Sequence, residues 1–407
     1  MKDNQEQGTI ALGETEAEIV RLLLGEFGPL GDTFAKFEDG EINVFGGIPG
    51  EEVTCRILRY RRKRKPVISG IVTSVLKSSP HRIAPPCPFF GPCSGCQWQH
   101  IEYNHQLNLK RESVQSAIEQ YDALRSICVS DTIPSDQQLG YRNHARFTVR
   151  REGSLGFVNR LTRRFVRIEE CMLMASWINE TVQQLQDKSG ATSQLSMRYG
   201  INTGDFLIQP KLSINEINLE TGQPYYTESL LGKTFQIASP SFFQVNTNQA
   251  EKLITLVKHN LALTGKEVVV DAYAGVGTFA ALIASDAARV IAVEESAAAV
   301  KDATVNTSGI TNIEFALGKI EDIVKEFTEK PDAAILDPPR SGCQPQVLEA
   351  MAHWAPSRVC YVSCDPLSLA RDLDILVRKN FVVKNIIPID MFPQTHHVEC
   401  VATLTTR

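Results

Sequence analysis

The chain has 407 residues, of which 43% are hydrophobic and 22% charged, with a net charge of −5. That length fits two or three domains, and the balance of apolar and charged residues excludes a largely disordered chain. The longest apolar runs, such as Val268 to Val270, fall far short of the about eighteen residues of a membrane span, and the opening MKDNQEQGTI lacks the apolar core of a secretory signal; a cytoplasmic, reducing compartment is expected.

Charge is unevenly spread along the chain. Residues 1–50 carry net −7, residues 51–170 net +9 and residues 171–407 net −7. A basic middle between acidic ends suggests a polyanionic partner.

Residues 9–76 predict a small β-domain. Short apolar stretches (17–24, 41–45, 53–60, 67–76) alternate with Gly and Pro punctuation, the pattern of a small barrel or sandwich. Arg59 to Lys65 reads RYRRKRK, a basic run near a strand end and a candidate for phosphate contact.

Residues 80–235 predict a second, α+β unit. It opens on the Cys- and Pro-rich segment PPCPFFGPCSGCQWQH, followed by a helix over about 104–120 and strand-like alternation over 144–151 and 154–168. These strands interleave arginines, Arg142 to Arg167, with Phe147, Phe157 and Phe165, which suits a surface for stacked bases and phosphates.

Residues 236–407 alternate apolar runs with helical patterns: VVVDAYAG, VIAVEES, IEFALG, AAILDPP and VCYVSCDP each lead into a helix. Repeated βα units imply a mostly parallel, doubly wound sheet. Two closing strand-like runs, Phe381 to Ile389 and His397 to Thr405, suggest a terminal hairpin on that sheet. The fold class is therefore α/β in the last domain, with a small β-domain ahead of it.

Asp271-Ala-Tyr-Ala-Gly-Val-Gly277 sits where the first strand meets its helix, and Glu294 ends the next strand, 23 residues after Asp271. Gly275 and Gly277 allow a tight turn, and an acidic side chain at the second strand end accepts ribose hydroxyls. Ala280 stands where a third glycine would complete the dinucleotide fingerprint. A cofactor with adenosine and no phosphate, S-adenosylmethionine, fits this turn better than a dinucleotide. Asp337-Pro-Pro-Arg340 ends the fourth strand, again on the edge where such sheets bind ligands.

Ser363-Cys364-Asp365-Pro366 ends the fifth strand, where a cysteine becomes a nucleophile if its pKa is lowered. The polar segment from Asp390 to Glu399 precedes the last strand, and Glu399 is a candidate general base, with His396 and His397 as rivals. Cys87, Cys93 and Cys96 follow C-x5-C-x2-C, with Cys171 as a candidate fourth ligand. Four thiolates suit either an iron–sulfur cluster or tetrahedral zinc.

Taken together, PSFFQVN, DAYAGVGTF, DPPRSG, YVSCDPLSLARD and DMFPQTHHVE, in this order, resemble the RNA uridine-5-methyltransferase family, of the iron–sulfur-bearing kind. The resemblance spans nearly the whole chain. It implies a C-terminal Rossmann-like class I methyltransferase domain (236–407), an N-terminal OB-like TRAM barrel (9–76, through IPGEEV) and a central RNA-binding domain (80–235). It implies a 4Fe-4S cluster on Cys87, Cys93, Cys96 and Cys171. It makes Cys364 the nucleophile and Glu399 the base, and puts Gln244, Tyr273, Thr278, Glu294 and Asp337 at S-adenosylmethionine. Ala274 departs from the pattern, since relatives often have Cys there. The implied partner is RNA, with ribosomal RNA favoured over transfer RNA; no membrane is involved, and the residues fix no oligomeric state.

Rival readings differ in what they need. A non-catalytic, cluster-bearing RNA-binding protein needs neither Cys364 nor Glu399. An amino-group methyltransferase needs an aromatic after the two prolines, where Arg340 stands. A cytosine-5 enzyme shares the cysteine chemistry and differs in substrate.

Overall fold

The structure is a computed structural model that describes residues 18–62, 65–213, 219–325, 327 and 329–407. Contacts gather the chain into two compact units: one ends at Ile101 and takes in Asn159–Arg163, the other comprises Glu102–Val158 and Arg164–Arg407.

In the first unit, β1 (Ile19–Leu23), β2 (Thr33–Phe37), β3 (Gly40–Phe45), β4 (Glu52–Arg62) and β5 (Lys65–Lys77) form one sheet in the order β1-β4-β5-β3-β2. Alternate residues point inward, so Ile42 and Val44 of β3 meet Val53, Cys55 and Ile57 of β4 in one core. Past β1 the chain turns back onto β2. The Gly25 amide donates to the Phe34 carbonyl (2.8 Å) and the Phe34 amide to the Glu26 carbonyl (2.9 Å). These bonds bring the segment after β1 alongside β2, at the opposite end of the strand order.

The IPGEEV segment has a physical role of its own. Glu51 is buried, and Arg82 donates to both of its carboxylate oxygens at 2.6 Å. Burial pushes that carboxyl up, but Arg82 and the Ser79 amide outweigh it and hold the carboxyl below its usual range. The alternation read in the sequence marks four of the five strands. It misses β2, whose TFAKF is five residues long and carries a lysine. The basic run begins within β4, where Arg59 is occupied by Glu38 (2.6 Å) and Glu18 (3.3 Å). Lys63 and Arg64, like residues 9–17 of the expected β-domain, lie outside the described residues.

The second unit opens with α1 (Tyr103–Ile118). Next come β6 (His144–Val149), β7 (Leu155–Val158), β8 (Phe165–Arg167), α2 (Ser176–Leu185), β9 (Gln194–Tyr199) and β10 (Phe206–Gln209). The five strands form a sheet in the order β10-β9-β6-β7-β8. Phe147, Leu195 and Met197 pack with Ile178 and Val182 of α2. The expected base-stacking role of the phenylalanines is corrected here. Phe147 is buried and stacks on Phe157 with centroids 5.0 Å apart, so both belong to the core. Phe165 is only partly buried, with the Arg150 guanidinium over its ring.

A hairpin of β11 (Tyr225–Leu230) and β12 (Lys233–Ala238) leads to α3 (Thr247–Leu261). The main sheet follows: β13 (Val268–Ala272), α4 (Thr278–Ile283), β14 (Arg289–Glu294), α5 (Ala297–Asn306), β15 (Ile313–Leu317), α6 (Ile320–Ile323), β16 (Ala333–Leu336) and α7 (Pro345–Trp354). It ends with β17 (Arg358–Ser363), α8 (Pro366–Arg378), β18 (Phe381–Ile389) and β19 (Glu399–Thr406). Strand order is β15-β14-β13-β16-β17-β19-β18, the first five parallel and β19 antiparallel to both neighbours. Helices cover both faces, which is why strands such as β16 are apolar and buried throughout. Caps fix where the helices start. Asp365 accepts from the Ser368 amide at the head of α8, with Pro366 in the first turn, and Ser296 accepts from the Ala299 amide at the head of α5. No helix among the described residues is long and apolar enough to cross a membrane.

The sequence divides the chain at about 80 and 236; the contacts divide it at Ile101. Residues 102–143 are bound into the main sheet by groups far away in sequence. The Ile133 amide donates to the Pro388 carbonyl and the Asp390 amide to that of Ile133, while the Asn143 amide donates to the Val245 carbonyl. Lys110 and Asp390 form an ion pair with both side chains fully buried, and the Tyr103 hydroxyl donates to the second Asp390 oxygen at 2.8 Å. Removing one partner of such a pair strands the other charge in the core. Lys110→Met is expected to lower the stability of this unit by about 3–5 kcal/mol, read from urea unfolding; a change within experimental error would show that the pair does not hold α1 in place.

Candidate active site

Parallel register brings distant residues to one edge. Ala272 of β13 pairs with Val293 of β14 and Leu336 of β16; Leu336 pairs with Tyr361 of β17, and Ser363 pairs with Cys400 of β19. The residues at or just past those pairings are Tyr273, Glu294, Asp337, Cys364 and Glu399. Five of the residues singled out in the sequence thus stand on five adjacent strands. The edge lies where β13 neighbours both β14 and β16, the switch point at which sheets of this kind hold ligands.

The turn after β13 is built tightly. Tyr273 has φ +68°, Gly275 +57° and Gly277 +79°. A Cβ at Gly277 would lie 3.2 Å from that of Ala303 and 3.3 Å from the Phe315 ring, so this position needs glycine on two counts. Glu294 staples the turn: Oε2 accepts from the Gly275 amide and Oε1 from the Ser296 amide, both at 2.8 Å. A carboxylate keeps spare acceptor capacity after two such bonds. Thr278 opens α4 directly behind the turn. The Tyr273 side chain packs into the core under the sheet, with its hydroxyl beside Cys343; burial and Cys343 push the phenol above its usual range.

Carboxyl groups crowd this edge. Asp271 is fully buried; its Oδ2 accepts from the Ala280 amide at 2.9 Å, and its Oδ1 has no partner. Burial pushes it to about 8, with Asp337 and Glu294 adding to the rise. Burial pushes Asp337 to about 7. Glu399 is 4% exposed, and burial followed by Asp337 raises it well above the carboxylate range, against the pull of Arg340. Cys364 is partly buried; burial and then Glu399 push its thiol up to about 11, with Arg340 opposing. The sulfur therefore rests as a thiol, opposite to the lowered pKa that a standing nucleophile would need.

Arg340 is the residue the sequence reading undervalued. It acts on both Cys364 and Glu399, and its guanidinium donates to Nδ1 of His397 at 3.1 Å. Burial and then Arg340 hold His397 down at about 4, so its ring is neutral and engaged, which weakens it as a rival base. The DPPRSG loop aims this arginine. Gly342, at φ +77°, donates its amide to the Pro339 carbonyl (2.8 Å), and a Cβ there would strike Arg371 and Asp372.

Gln244 stands apart from the sheet edge. It lies in the loop before α3, where its carbonyl accepts from Asn143 Nδ2 at 3.1 Å, and the described contacts do not tie its side chain to the other five residues. Cys87, Cys93 and Cys96 share one loop of the first unit, folded by bonds from the Phe90 amide to Cys87 (3.0 Å) and from the Cys93 amide to Phe89 (2.8 Å). Cys171 belongs to the second unit. Among the described residues no three His, Cys, Asp or Glu side chains are arranged to hold a single metal ion. Three soft sulfur donors in one loop suit iron–sulfur ligation as a donor set.

A model of the family described as tRNA (uracil-5-)-methyltransferase matches residues 223–407. An uncharacterized RNA methyltransferase of Gloeobacter violaceus is 32% identical, covering 98% of this chain and 98% of its own. One of Thermotoga maritima is 34% identical, covering 96% and 98% respectively. The solved structure of the Pyrococcus abyssi tRNA (uracil-54, C5)-methyltransferase in complex with S-adenosyl-L-homocysteine shares the fold, with a TM-score of 0.73 at 23% identity over 95% of this chain and 100% of that one.

With the thiol at about 11, the thiolate fraction of Cys364 grows with pH throughout the neutral range. Alkylation of Cys364 by iodoacetamide, followed by peptide mass spectrometry, is expected to quicken about tenfold per pH unit between about pH 7 and about pH 9. Arg340→Gln removes the opposing cation and is expected to slow it at every pH. A rate that levels off near neutrality, or is indifferent to Arg340, would overturn this account.

Proposed function

The chain belongs to the tRNA (uracil-5-)-methyltransferase family, and from that premise we propose how its sheet edge carries out methyl transfer to carbon 5 of a uridine in RNA. The enzyme is an S-adenosylmethionine-dependent RNA (uracil-5-)-methyltransferase. The observation that carries the mechanism is the neighbourhood of Cys364, Glu399 and Arg340 at one strand edge.

Carbon 5 of uracil is too weak a nucleophile to take a methyl group unaided. In the proposed sequence, Cys364 Sγ, as thiolate, bonds to carbon 6, and the electron pair of the 5,6 double bond makes carbon 5 nucleophilic. S-adenosylmethionine supplies, when bound, an electrophilic methyl group on a sulfonium. Carbon 5 takes that methyl as the methyl–sulfur bond breaks, its electron pair staying on sulfur in the departing S-adenosylhomocysteine, and carbon 5 still holds its hydrogen. Glu399 accepts this hydrogen as a proton; the C–H electron pair restores the double bond, and the C6–S bond breaks to return the thiolate. A carboxylate raised by burial is a stronger base than an exposed one, which suits Glu399 to that step. Arg340 offsets part of the negative charge that would otherwise keep Cys364 protonated.

Gln244, Tyr273, Thr278, Glu294 and Asp337 are proposed to hold the cofactor, with Glu294 on the ribose hydroxyls. The uridine must leave any stack to reach the sulfur, so a flipped or single-stranded base is the expected form. The reading extends to a TRAM-type barrel in the first unit, supported by its five-stranded sheet and the bonds between β2 and the segment after β1. It also includes a 4Fe-4S cluster on Cys87, Cys93, Cys96 and Cys171: their thiolates suit iron–sulfur or zinc alike, and the family resemblance favours the cluster. Ribosomal RNA is the favoured substrate by resemblance.

Glu399→Gln is expected to trap the methylated uridine on Cys364, because carbon 5 keeps its hydrogen and elimination stops. Denaturing electrophoresis with labelled RNA should show a protein–RNA adduct that Cys364→Ala lacks, and Cys364→Ala should lose methyl transfer by at least about a thousandfold. A Cys364→Ala enzyme that still methylates, or a Glu399→Gln enzyme that turns over and leaves no adduct, would refute the assignment. Mapping 5-methyluridine in RNA from cells with and without the gene identifies the substrate.

A further inference from the structure

Arginines of the second unit are commonly matched to acids. Arg167 meets Glu169 and Asp187, Arg358 meets Glu267, and Arg371 meets Asp372. Arg150 and Arg407 lack a carboxylate within ion-pair distance among the described residues, and so do four others, Arg142, Arg146, Arg198 and Arg340.

The positions of these four are not scattered. His144 and Arg146 lie on the face of β6 turned away from Phe147, and antiparallel register sets Arg198 opposite His144 and Ser196 opposite Arg146. Arg142 stands two residues ahead of His144, and its Nε donates to the His144 carbonyl at 3.0 Å. Arg198 is 7% exposed, yet its Nε has no acceptor. Two histidines report how the groups connect. Burial lowers His144, and Arg198, Arg142 and Arg146 lower it further; burial lowers His397, and Arg340 and Arg142 act on it in turn. Geometry makes the same connection: the hydroxyl of Tyr141, next to Arg142, donates to the Pro393 carbonyl at 3.0 Å, and Arg340 donates to His397 four residues further on, so the β6 segment reaches the loop beside Cys364.

A row of like charges without counter-charge is self-repelling, and a polyanion relieves it. Arg142 and Arg146, four residues apart with His144 between them, stand about 13 Å from each other along an extended segment, room for more than one phosphate of a single strand. Arg142 and Arg146 lie along one strand and Arg198 stands across from the His144 between them, a narrow patch that suits one backbone rather than the two of a duplex. We infer that Arg142 and Arg146, backed by the buried charge of Arg198 and continued by Arg340, form a phosphate track on which single-stranded RNA flanking the target uridine is laid toward Cys364. The inference rests on the methyltransferase reading and names the path its substrate takes.

The test uses the full chain and a fluorescein-labelled single-stranded oligouridylate of about 12 nucleotides. The logarithm of its affinity is measured against the logarithm of salt concentration for wild type, Arg146→Gln, Arg142→Gln/Arg146→Gln and, as a control, Arg111→Gln, whose partner is Asp131. Each lost phosphate contact is expected to reduce the slope by about 0.7, so the double variant should lose about 1.4. Arg111→Gln should keep the wild-type slope. Circular dichroism melting shows that the compared variants are folded. If the double variant keeps the wild-type slope, or if Arg111→Gln loses as much, the track is overturned. Methyl transfer to uridine by wild type, assayed separately with labelled S-adenosylmethionine, tells this failure apart from failure of the methyltransferase reading.

Discussion

The reversed direction of β19 is the constraint on which the site depends. Every parallel strand of the main sheet delivers its last residues to the ligand edge, but β19 runs the other way between β17 and β18 and delivers its first. That is how Glu399, at the start of a strand, comes to face Cys364, at the end of one. No flexible loop has to bring the carboxyl group to the thiol; the hydrogen bonds of the sheet fix their separation. The segment 390–398 that turns the chain around is in turn anchored through Asp390 to Lys110 and Tyr103.

The electrostatics of the edge follow from where the strands end. Asp271, Asp337, Glu399 and Cys364 all have raised pKa values, each chiefly through burial, and Arg340 is the cation acting on two of them. Without a bound cation, protons neutralise such a group of acids. A sulfonium is a cation, and its arrival favours the ionised forms that the proposed chemistry needs. On the proposed mechanism, thiol and carboxylate would gain reactivity with the methyl donor in place.

Much of this was legible in the residues because each signal was local. Gly-rich turns, Asp-Pro-Pro and Ser-Cys-Asp-Pro mark strand ends by turn chemistry alone, and strand ends of a parallel sheet share an edge. What escaped depends on contacts that no local pattern records. Lys110 reads as one more helix cation until Asp390, 280 residues on, is seen against it. Phe147 and Phe157 alternate with arginines as a stacking surface would, but α2 covers their face. Arg340 reads as the residue after two prolines, and only the loop geometry set by Gly342 turns it toward the sulfur. The expected helix over about 320–328 is described only over Ile320–Ile323, with Glu326 and Thr328 outside the described residues.

The buried link between Lys110 and Asp390 has a consequence for how the chain is made. Ribosomes emit polypeptide vectorially at roughly 5–20 residues per second, so α1 emerges roughly 14–56 s before the aspartate 280 positions later that neutralises it. During that interval a lysine destined for a dry interior remains hydrated. Closure of this unit therefore waits for the C-terminal part of the chain: the apolar side of α1 shares a core with α8, and its lysine finds its counter-charge only at residue 390.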